Sequence, residues 1–233
     1  MEYMPRETVN LKCLVGGGAI FLAFISLCSV ARAEEQKNGT TAAFQEAGDF
    51  KGHFVVTADD LTAEDKEMLA LVQEAADRAG KLLEKAVNDG VKSEDEIFSA
   101  LYFPISSETY PPTFNTFYDD YTDKVITPLE DEYLARDKRL LYMTLVDRNC
   151  YVPSHNSKFS RPLTGNPEND NHYHRSKRIF NDMAGLLASR NTRPFLLQNY
   201  PRDTGEMVAD ISVPVFVFGR HWGVMRGGYK RGK

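Results

Sequence analysis

The chain has 233 residues, with 28 Lys and Arg side chains against 33 Asp and Glu, and its formal net charge is −5 with neutral histidines. An acidic chain of this kind has no basic stripe to neutralise phosphates, so nucleic acid is excluded as an expected partner. The length suits one domain with a well-buried core once an N-terminal targeting segment is set aside.

A targeting segment is predicted at residues 1–33. Arg6 and Lys12 precede a long uncharged run, and Ala31-Arg32-Ala33 places small residues at the two positions that determine cleavage. This layout is typical of a secretory signal peptide, so export is expected. The alternative is an uncleaved membrane anchor, because the uncharged run is just long enough to cross a bilayer.

A long helix is predicted at residues 61–92, after a polar lead-in at 34–60. Thr62 and Asp65 form a loose capping box at its start, and an Asn-Asp-Gly sequence ends it. Apolar residues recur along one face at alternating spacings of four and three: Met68, Val72, Ala75, Ala79, Leu82 and Ala86. Such a stripe packs on the helix's own domain or forms a seam between two chains, so a homodimer through residues 61–90 is a second interpretation.

Two further helices are predicted before the strands begin. Ser93 and Glu96 form a second capping box at the start of a short helix, and a proline-bracketed surface loop follows it. The next long helix is predicted at residues 114–139. Its apolar residues fall on one side of the helix: Phe117, Tyr121, Val125, Leu129 and Tyr133.

Strands are predicted from residue 140 onward, where the hydrophobic period becomes two. Five strands are expected, at residues 140–146, 151–155, 195–200, 207–218 and 221–229. The first two would form a hairpin around a tight turn, in which Cys150 stands at a position that favours glycine. Residues 156–176 are predicted to be a polar loop, and residues 183–190 a short helix. Helices followed by hairpin-linked strands indicate an α+β fold and not an alternating βαβ fold.

Several irregular blocks follow one another in a fixed order between Glu94 and Tyr229. They are Asp147-Arg148-Asn149 and residues 152–156, then residues 159–165, 177–182, 190–198 and 219–223. In this order the blocks resemble the extracytoplasmic sensor domain of bacterial methyl-accepting chemotaxis proteins. The resemblance covers roughly two-thirds of the chain that would follow a cleaved signal peptide, and it is specific for a type of domain rather than for a ligand.

The resemblance implies a PAS-like, Cache-type fold, in which a five-stranded antiparallel sheet carries a long N-terminal helix and residues 93–230 form the sensor domain. It also implies a periplasmic protein that binds a small molecule, does no chemistry on it, and passes the ligand state to a membrane receptor or kinase. The chain is expected to be such a sensor domain without its transmitter region. A truncated receptor without present function is a further alternative.

The candidate ligand-binding residues are aromatic, cationic or imidazole side chains of the predicted sensor domain: Tyr142, Tyr151, His155, Arg178, Arg190 and Tyr200. Guanidinium groups are suited to clamp a carboxylate or a similar small anion, and an inward tyrosine lines a pocket with its hydroxyl as a polar contact. Arg190 fits a structural role at a helix end equally well. Asn181 and Asp182 are interpreted first as caps of the short helix that follows them.

Catalysis, metal and cofactor binding are not expected from the sequence. Ser154 and His155 are neighbours that would point to opposite faces of a strand, and no G-x-S-x-G motif occurs. His172 and His174 have the spacing of a two-imidazole site on a strand, but surface histidines of a polar loop are the preferred interpretation. Two alternatives stay open: a metal or redox sensor that uses Cys150 or the group of His155, His172 and His174, and an interaction subunit that binds no ligand.

Overall fold

The computed structural model of the protein describes residues 53–55, 58–105, 110–202 and 205–231. The predicted signal peptide and most of the predicted lead-in lie outside these residues. The described part belongs to one compact unit, Phe50–Lys233. Among its helices, none combines the length and the apolar character needed to cross a bilayer.

The described residues form five α-helices, nine β-strands and two short 3₁₀ turns. The helices are α1 (Ala63–Asn88), α2 (Glu94–Ile97), α3 (Asp119–Arg136), α4 (Pro167–Tyr173) and α5 (Met183–Ser189), and the 3₁₀ turns are Ala58–Asp60 and Ser157–Phe159. The strands are β1 (His53–Val55), β2 (Phe103–Pro104), β3 (Phe114–Asn115), β4 (Leu140–Asp147), β5 (Tyr151–Val152), β6 (Arg178–Ile179), β7 (Leu196–Pro201), β8 (Met207–Val217) and β9 (Arg220–Tyr229).

The main sheet is antiparallel, with the strand order β1-β7-β8-β9-β4. Its four longer strands lie where the sequence predicts them, within one or two residues, and the α+β class with an antiparallel sheet is confirmed. The three-residue β1 extends one edge by pairing with β7, from His53 opposite Asn199 to Val55 opposite Leu197. That strand falls within the predicted lead-in, where no strand was expected.

The predicted hairpin of residues 140–146 and 151–155 is wrong. β5 is only two residues long and pairs with β6 in a separate two-stranded sheet, whereas β4 pairs with β9. Side chains take the outer edge of β4: the Met143 amide donates to Asn156 Oδ1 at 2.8 Å, and the Leu145 amide donates to Glu130 Oε1 at 2.8 Å. Because an edge strand needs partners for its amides, these acceptors replace a neighbouring strand.

Helix α1 covers one face of the main sheet, against β8 and β9. Its capping box is confirmed, because the Asp65 amide donates to Thr62 Oγ1 and the Thr62 amide donates to the Asp65 carboxylate. The predicted apolar stripe is buried, except that Leu83 takes the inward place given to Leu82. The stripe is therefore used inside the chain, and a homodimer through residues 61–90 stays a prediction that needs the remaining faces of the helix.

Helix α3 begins five residues later than predicted. The Asp119 carboxylate accepts hydrogen bonds from the Thr116 amide at 2.8 Å and the Thr116 hydroxyl at 2.7 Å, which holds the preceding residues in a turn. Phe114 and Asn115 instead form β3, which pairs with β2. Phe117, expected on the apolar side of the helix, is 41% exposed.

The predicted polar loop at residues 156–176 contains helix α4. The Asn166 side chain accepts hydrogen bonds from the amides of Glu168 and Asn169 at 3.0 and 3.1 Å, and Pro167 occupies the first helical position. These are ordinary helix-start signals that the polar composition of the segment had obscured. The short helix α5 is confirmed, and Asp182 caps it by accepting a hydrogen bond from the Gly185 amide at 2.9 Å.

Candidate functional site

A cavity of about 140 Å³ lies on the face of the main sheet that α1 does not cover. Strand β4 contributes alternate side chains to its wall, since residues two apart on a strand share a face. The segments after β5, around β6 and at the end of β7 enclose it. The lining residues are Tyr142, Thr144, Val146, Val152, His155, Arg175, Arg178, Phe180, Asp182, Tyr200, Arg202 and Arg226.

Four of the six candidate ligand-binding residues line this cavity: Tyr142, His155, Arg178 and Tyr200. They come from β4, from the segment after β5, from β6 and from β7, so only the tertiary fold brings them together. The predicted grouping of arginine, imidazole and tyrosine side chains is thus present as a structural arrangement.

Tyr151 and Arg190 are corrections, because neither lines the cavity. The Tyr151 ring is fully buried on the other side of β5, and its hydroxyl donates to the Phe114 carbonyl oxygen at 2.9 Å and contacts the Asp119 carboxylate. Its neighbour Val152 lines the cavity, and successive residues of a strand point to opposite faces. Arg190 is exposed at the end of α5, where its amide donates to the Leu186 carbonyl oxygen, so the structural interpretation of this residue applies.

Sequence reasoning missed four polar residues that complete the site: Thr144, Arg175, Arg202 and Arg226. Arg226 left the clearest signal, because it stands in the apolar strand β9 between Met225 and a Gly-Gly pair. Asp210 is a similar interruption in β8. A charged residue within a buried strand requires a partner, so this pair could have been proposed from the sequence.

The floor of the cavity is a buried ion pair with two tyrosines. Arg226 Nη2 donates to Asp210 Oδ2 at 2.8 Å, and Arg226 Nε donates to Asp210 Oδ1 at 3.2 Å. The Tyr200 hydroxyl donates to the same carboxylate at 3.1 Å and accepts from Arg226 Nη2 at 2.8 Å. Tyr142 adds a further hydrogen bond to Asp210 Oδ2. The Asp210 carboxylate therefore uses its acceptor capacity within the protein.

His155 is a neutral imidazole that lines the cavity. Its ring is buried, and burial, followed by the positive charges of Arg175 and Arg202, lowers the pKa of His155 well below its usual value. The Asn156 amide donates to His155 Nδ1 at 2.8 Å. Because Nδ1 acts as the acceptor, the neutral ring carries its proton on Nε2.

The arginines of the cavity wall are held in place by helix α4 and by an aromatic ring. Arg178 donates to the carbonyl oxygens of Asn171 and His174 and to Asn171 Oδ1, at 3.0–3.3 Å. Arg175 Nη1 donates to the Asn171 carbonyl oxygen at 3.1 Å. The Arg202 guanidinium lies 5.2 Å from the centre of the Tyr142 ring. The unpredicted helix α4 thus positions two of these cations.

The structure gives the positions of His172, His174 and Cys150, on which the metal and redox alternatives depend. His172 lies on helix α4, so His172 and His174 do not share a strand face, and the part of the chain that the structure describes holds no cluster of three or more potential metal ligands. Cys150 has a positive φ of 69°, as a glycine-favouring turn position requires. Its thiol is buried against Ser189 Oγ at 3.1 Å, and burial raises the pKa of Cys150, which keeps the unreactive thiol form.

Comparisons with known proteins add no family: no family model, no curated protein and no solved structure matches this chain. The fold and the site therefore define the protein as an α+β domain with a small cationic cavity on one face of an antiparallel sheet. What this cavity can do chemically is to bind and orient a small polar molecule through arginine, imidazole and hydroxyl groups.

Proposed function

We propose that this protein is an exported sensory domain that binds a small molecule in the cavity and passes the ligand state to a partner protein. The cavity carries the proposal, because it gathers four side chains that the sequence had singled out for ligand binding. On this proposal the protein acts in the periplasm, as a relative of the chemotaxis sensor domains, and is not an enzyme.

The architecture supports a PAS-like, Cache-type assignment. The antiparallel sheet has its long N-terminal helix α1 on one face and the cavity on the other. A pocket on the open face of a sheet, closed by the connecting segments, is the arrangement that the resemblance implies. The site is built for binding, since it combines a few convergent polar groups with a concave surface.

A surface for the partner is also available. Leu101, Phe103 and Ile105 alternate along the segment that includes β2, and all three are 46–58% exposed. The Phe103 ring packs edge-on against exposed Phe117, with 5.3 Å between the ring centres. Exposed apolar side chains that lie close together form a patch of the kind that marks a contact surface. The same observation favours the second candidate function, an interaction subunit of a membrane signalling complex that binds no ligand.

The two functions are separated by ligand binding to the purified domain. Native mass spectrometry of protein isolated gently from its own compartment is expected to show a small adduct that is lost on denaturation. A metabolite screen by thermal shift is expected to give at least one compound that raises the melting temperature, because a ligand that binds only the folded state must stabilise it.

Two variants make this screen decisive. Thr144→Leu fills the cavity and is expected to abolish the shift, whereas Leu101→Ser, outside the cavity, is expected to keep it. If no compound shifts the melting temperature and no adduct is found, sensing fails and the interaction subunit is the better description. If Leu101→Ser also stops co-purification of a partner, the exposed apolar patch is the contact surface.

A further inference from the structure

The size of the cavity limits the part of the ligand that it encloses. Its volume of about 140 Å³ is below the roughly 300–1,000 Å³ of most pockets for drug-sized ligands. An engineered protein cavity of about 150 Å³ holds benzene, which has six non-hydrogen atoms. The enclosed part of the ligand therefore has about six non-hydrogen atoms. A peptide or a nucleotide does not fit this space.

The charges around the cavity select an anion. Arg175, Arg178 and Arg202 line its wall with one carboxylate, Asp182, whose Oδ1 accepts from the Gly185 amide at the start of α5. The neutral His155 ring, which also lines the cavity, carries its proton on Nε2. The deep carboxylate of Asp210 already accepts hydrogen bonds from Arg226, Tyr142 and Tyr200. Its acceptor positions are thus occupied by residues of the cavity floor. It is therefore a poor partner for a ligand ammonium group.

The apolar part of the wall favours an organic ligand over an inorganic ion. Val146, Val152 and Phe180 line the cavity beside the cationic groups. Val146 and Val152 are buried and pack together in one small apolar cluster with Phe180 at its side. An inorganic oxyanion would leave this surface without a partner, whereas a short carbon chain covers it and gains from its removal from water.

We infer that the natural ligand is a small organic carboxylate, bound with its carboxylate toward Arg178, Arg202 and His155 and its carbon chain toward Val146, Val152 and Phe180. This inference rests on the proposed function and adds the chemical class of the ligand. The positive charges of the arginines attract the carboxylate, and the apolar wall sets the chain length.

The test uses small four-carbon probes whose head groups are anionic, neutral or cationic. Butyrate, butyramide and butylammonium are titrated into the full domain, with binding measured by calorimetry and by the shift of melting temperature. Butyrate is expected to bind and to raise the melting temperature. Butyramide and butylammonium are expected to bind at least about tenfold more weakly, because they lose the paired charge. Inorganic phosphate and sulfate are titrated in the same way, to test whether the site binds inorganic oxyanions in place of carboxylates.

Matched variants locate the binding. Arg178→Gln is expected to weaken butyrate binding about tenfold or more, whereas Arg190→Gln, an exposed arginine outside the cavity, is expected to leave it unchanged. Arg202→Gln provides a second cavity variant, and the melting temperature without ligand shows whether each variant is folded. Val152→Ala is expected to weaken butyrate more than acetate, since it removes contacts to the chain.

The possible results separate this inference from the proposed function. Equal binding of butyrate and butyramide, or binding of phosphate in place of carboxylates, would overturn the carboxylate assignment and keep a small-molecule site. Butyrate binding that survives in both cavity variants would place the ligand elsewhere and overturn the assignment too. If neither the carboxylates nor any compound of the metabolite screen binds, the proposed sensing function fails as well.

Discussion

The two faces of the main sheet are built from the same strands but from opposite chemistry. The face toward α1 and α3 is apolar, and its largest buried side chains include Met143, Leu145 and Met225. The opposite face carries Asp210 and Arg226 at the floor of the cavity. Met225 and Arg226 are adjacent in β9 and point to different faces. The first face is therefore suited to stabilise the fold, and the second is suited to bind.

The two faces differ because one is stabilised by apolar burial and the other contains a buried ion pair. Apolar burial stabilises by about 25 cal/mol per Å² without any requirement for direction. A buried ion pair has to recover a large desolvation cost through exact hydrogen-bond geometry. The cavity face can therefore present charge to a ligand only because the other face supplies the stability.

The largest expected effect comes from breaking the floor of the cavity. Asp210→Ala removes the partner of Arg226, whose side chain is only 8% exposed, and is expected to cost about 3–5 kcal/mol of unfolding free energy. Urea unfolding measures the change. The double variant Asp210→Leu with Arg226→Met is expected to recover most of that loss, because both charges are gone. A loss below about 1 kcal/mol in the single variant would mean that the pair is not buried as described.

The apolar face gives the matching experiment. Leu83→Ala removes a fully buried side chain of α1 and is expected to cost about 2–5 kcal/mol of unfolding free energy by leaving a cavity. The affinity for butyrate, the proposed probe of the cavity, is expected to stay the same, measured by calorimetry well below the melting temperature. A parallel loss of affinity would show that the two faces are coupled and do not divide stability from binding.

Asp65 in α1 and Arg231, just after β9, form a second Asp–Arg pair that can be compared with the first. Asp65 in α1 is buried and accepts from Arg231 Nη2 at 2.7 Å, but the Arg231 side chain is 34% exposed. Asp65→Asn is therefore expected to cost about 1–3 kcal/mol, less than the loss of Asp210, because solvent screens the exposed part of Arg231. Burial raises the pKa of Asp65, but the hydrogen bonds from Tyr229 and Arg231 outweigh this and lower it overall.

The pH dependence provides the check on this second pair. Because the folded pKa of Asp65 lies below the unfolded value of 3.8, its contribution is present above pH 3.8 and is lost as the pH falls through the folded pKa. Acid unfolding of Asp65→Asn compared with the parent chain is expected to show a smaller loss in this range. An identical acid response would mean that the carboxylate of Asp65 is not the group that titrates.

An effect that depends on pH is expected at the edge of β4, where Glu130 Oε1 accepts a hydrogen bond from the Leu145 amide. Burial raises the pKa of Glu130 well above its usual value, and Oε2 has no hydrogen-bond partner among the described residues. Above the unfolded value of 4.5 the unfolded chain releases this proton and the folded chain holds it, so stability falls as the pH rises toward the folded pKa.

Glu130→Gln tests this effect because glutamine keeps the acceptor for the Leu145 amide and cannot ionise. The variant is expected to match the parent chain near pH 4.5 and to be the more stable of the two at pH 8. Urea unfolding at both pH values measures the difference. A variant that is less stable than the parent chain at pH 8 would show that the carboxyl of Glu130 is ionised in the folded state.

Several elements of the fold follow directly from local sequence signals. The capping boxes at Thr62 and Ser93 start helices in the structure, and the apolar stripe of α1 is buried, with Leu83 in the place expected for Leu82. The four longer strands of the main sheet follow from the change of hydrophobic period. These signals depend on neighbours one to four residues away, so a single sequence contains them.

Strand partners depend on distant residues and were not predictable in the same way. The β4 edge is taken by side chains of Glu130 and Asn156, and the strand expected there pairs elsewhere. The residues of β1 carried no strong strand pattern, and their pairing with β7 crosses more than a hundred residues of chain. No local pattern encodes such a choice.

The sequence by itself determined the α+β class, the long helix, the alternating strands and the residue types suited to hold an anion. Only the tertiary structure decided which of these side chains meet, bringing Tyr142, His155, Arg178 and Tyr200 to one cavity while Tyr151 and Arg190 lie elsewhere. It also added Arg226 with its partner Asp210. Local periodicity fixes the face on which a residue lies, whereas the sheet order and the packing of loops across it fix its neighbours.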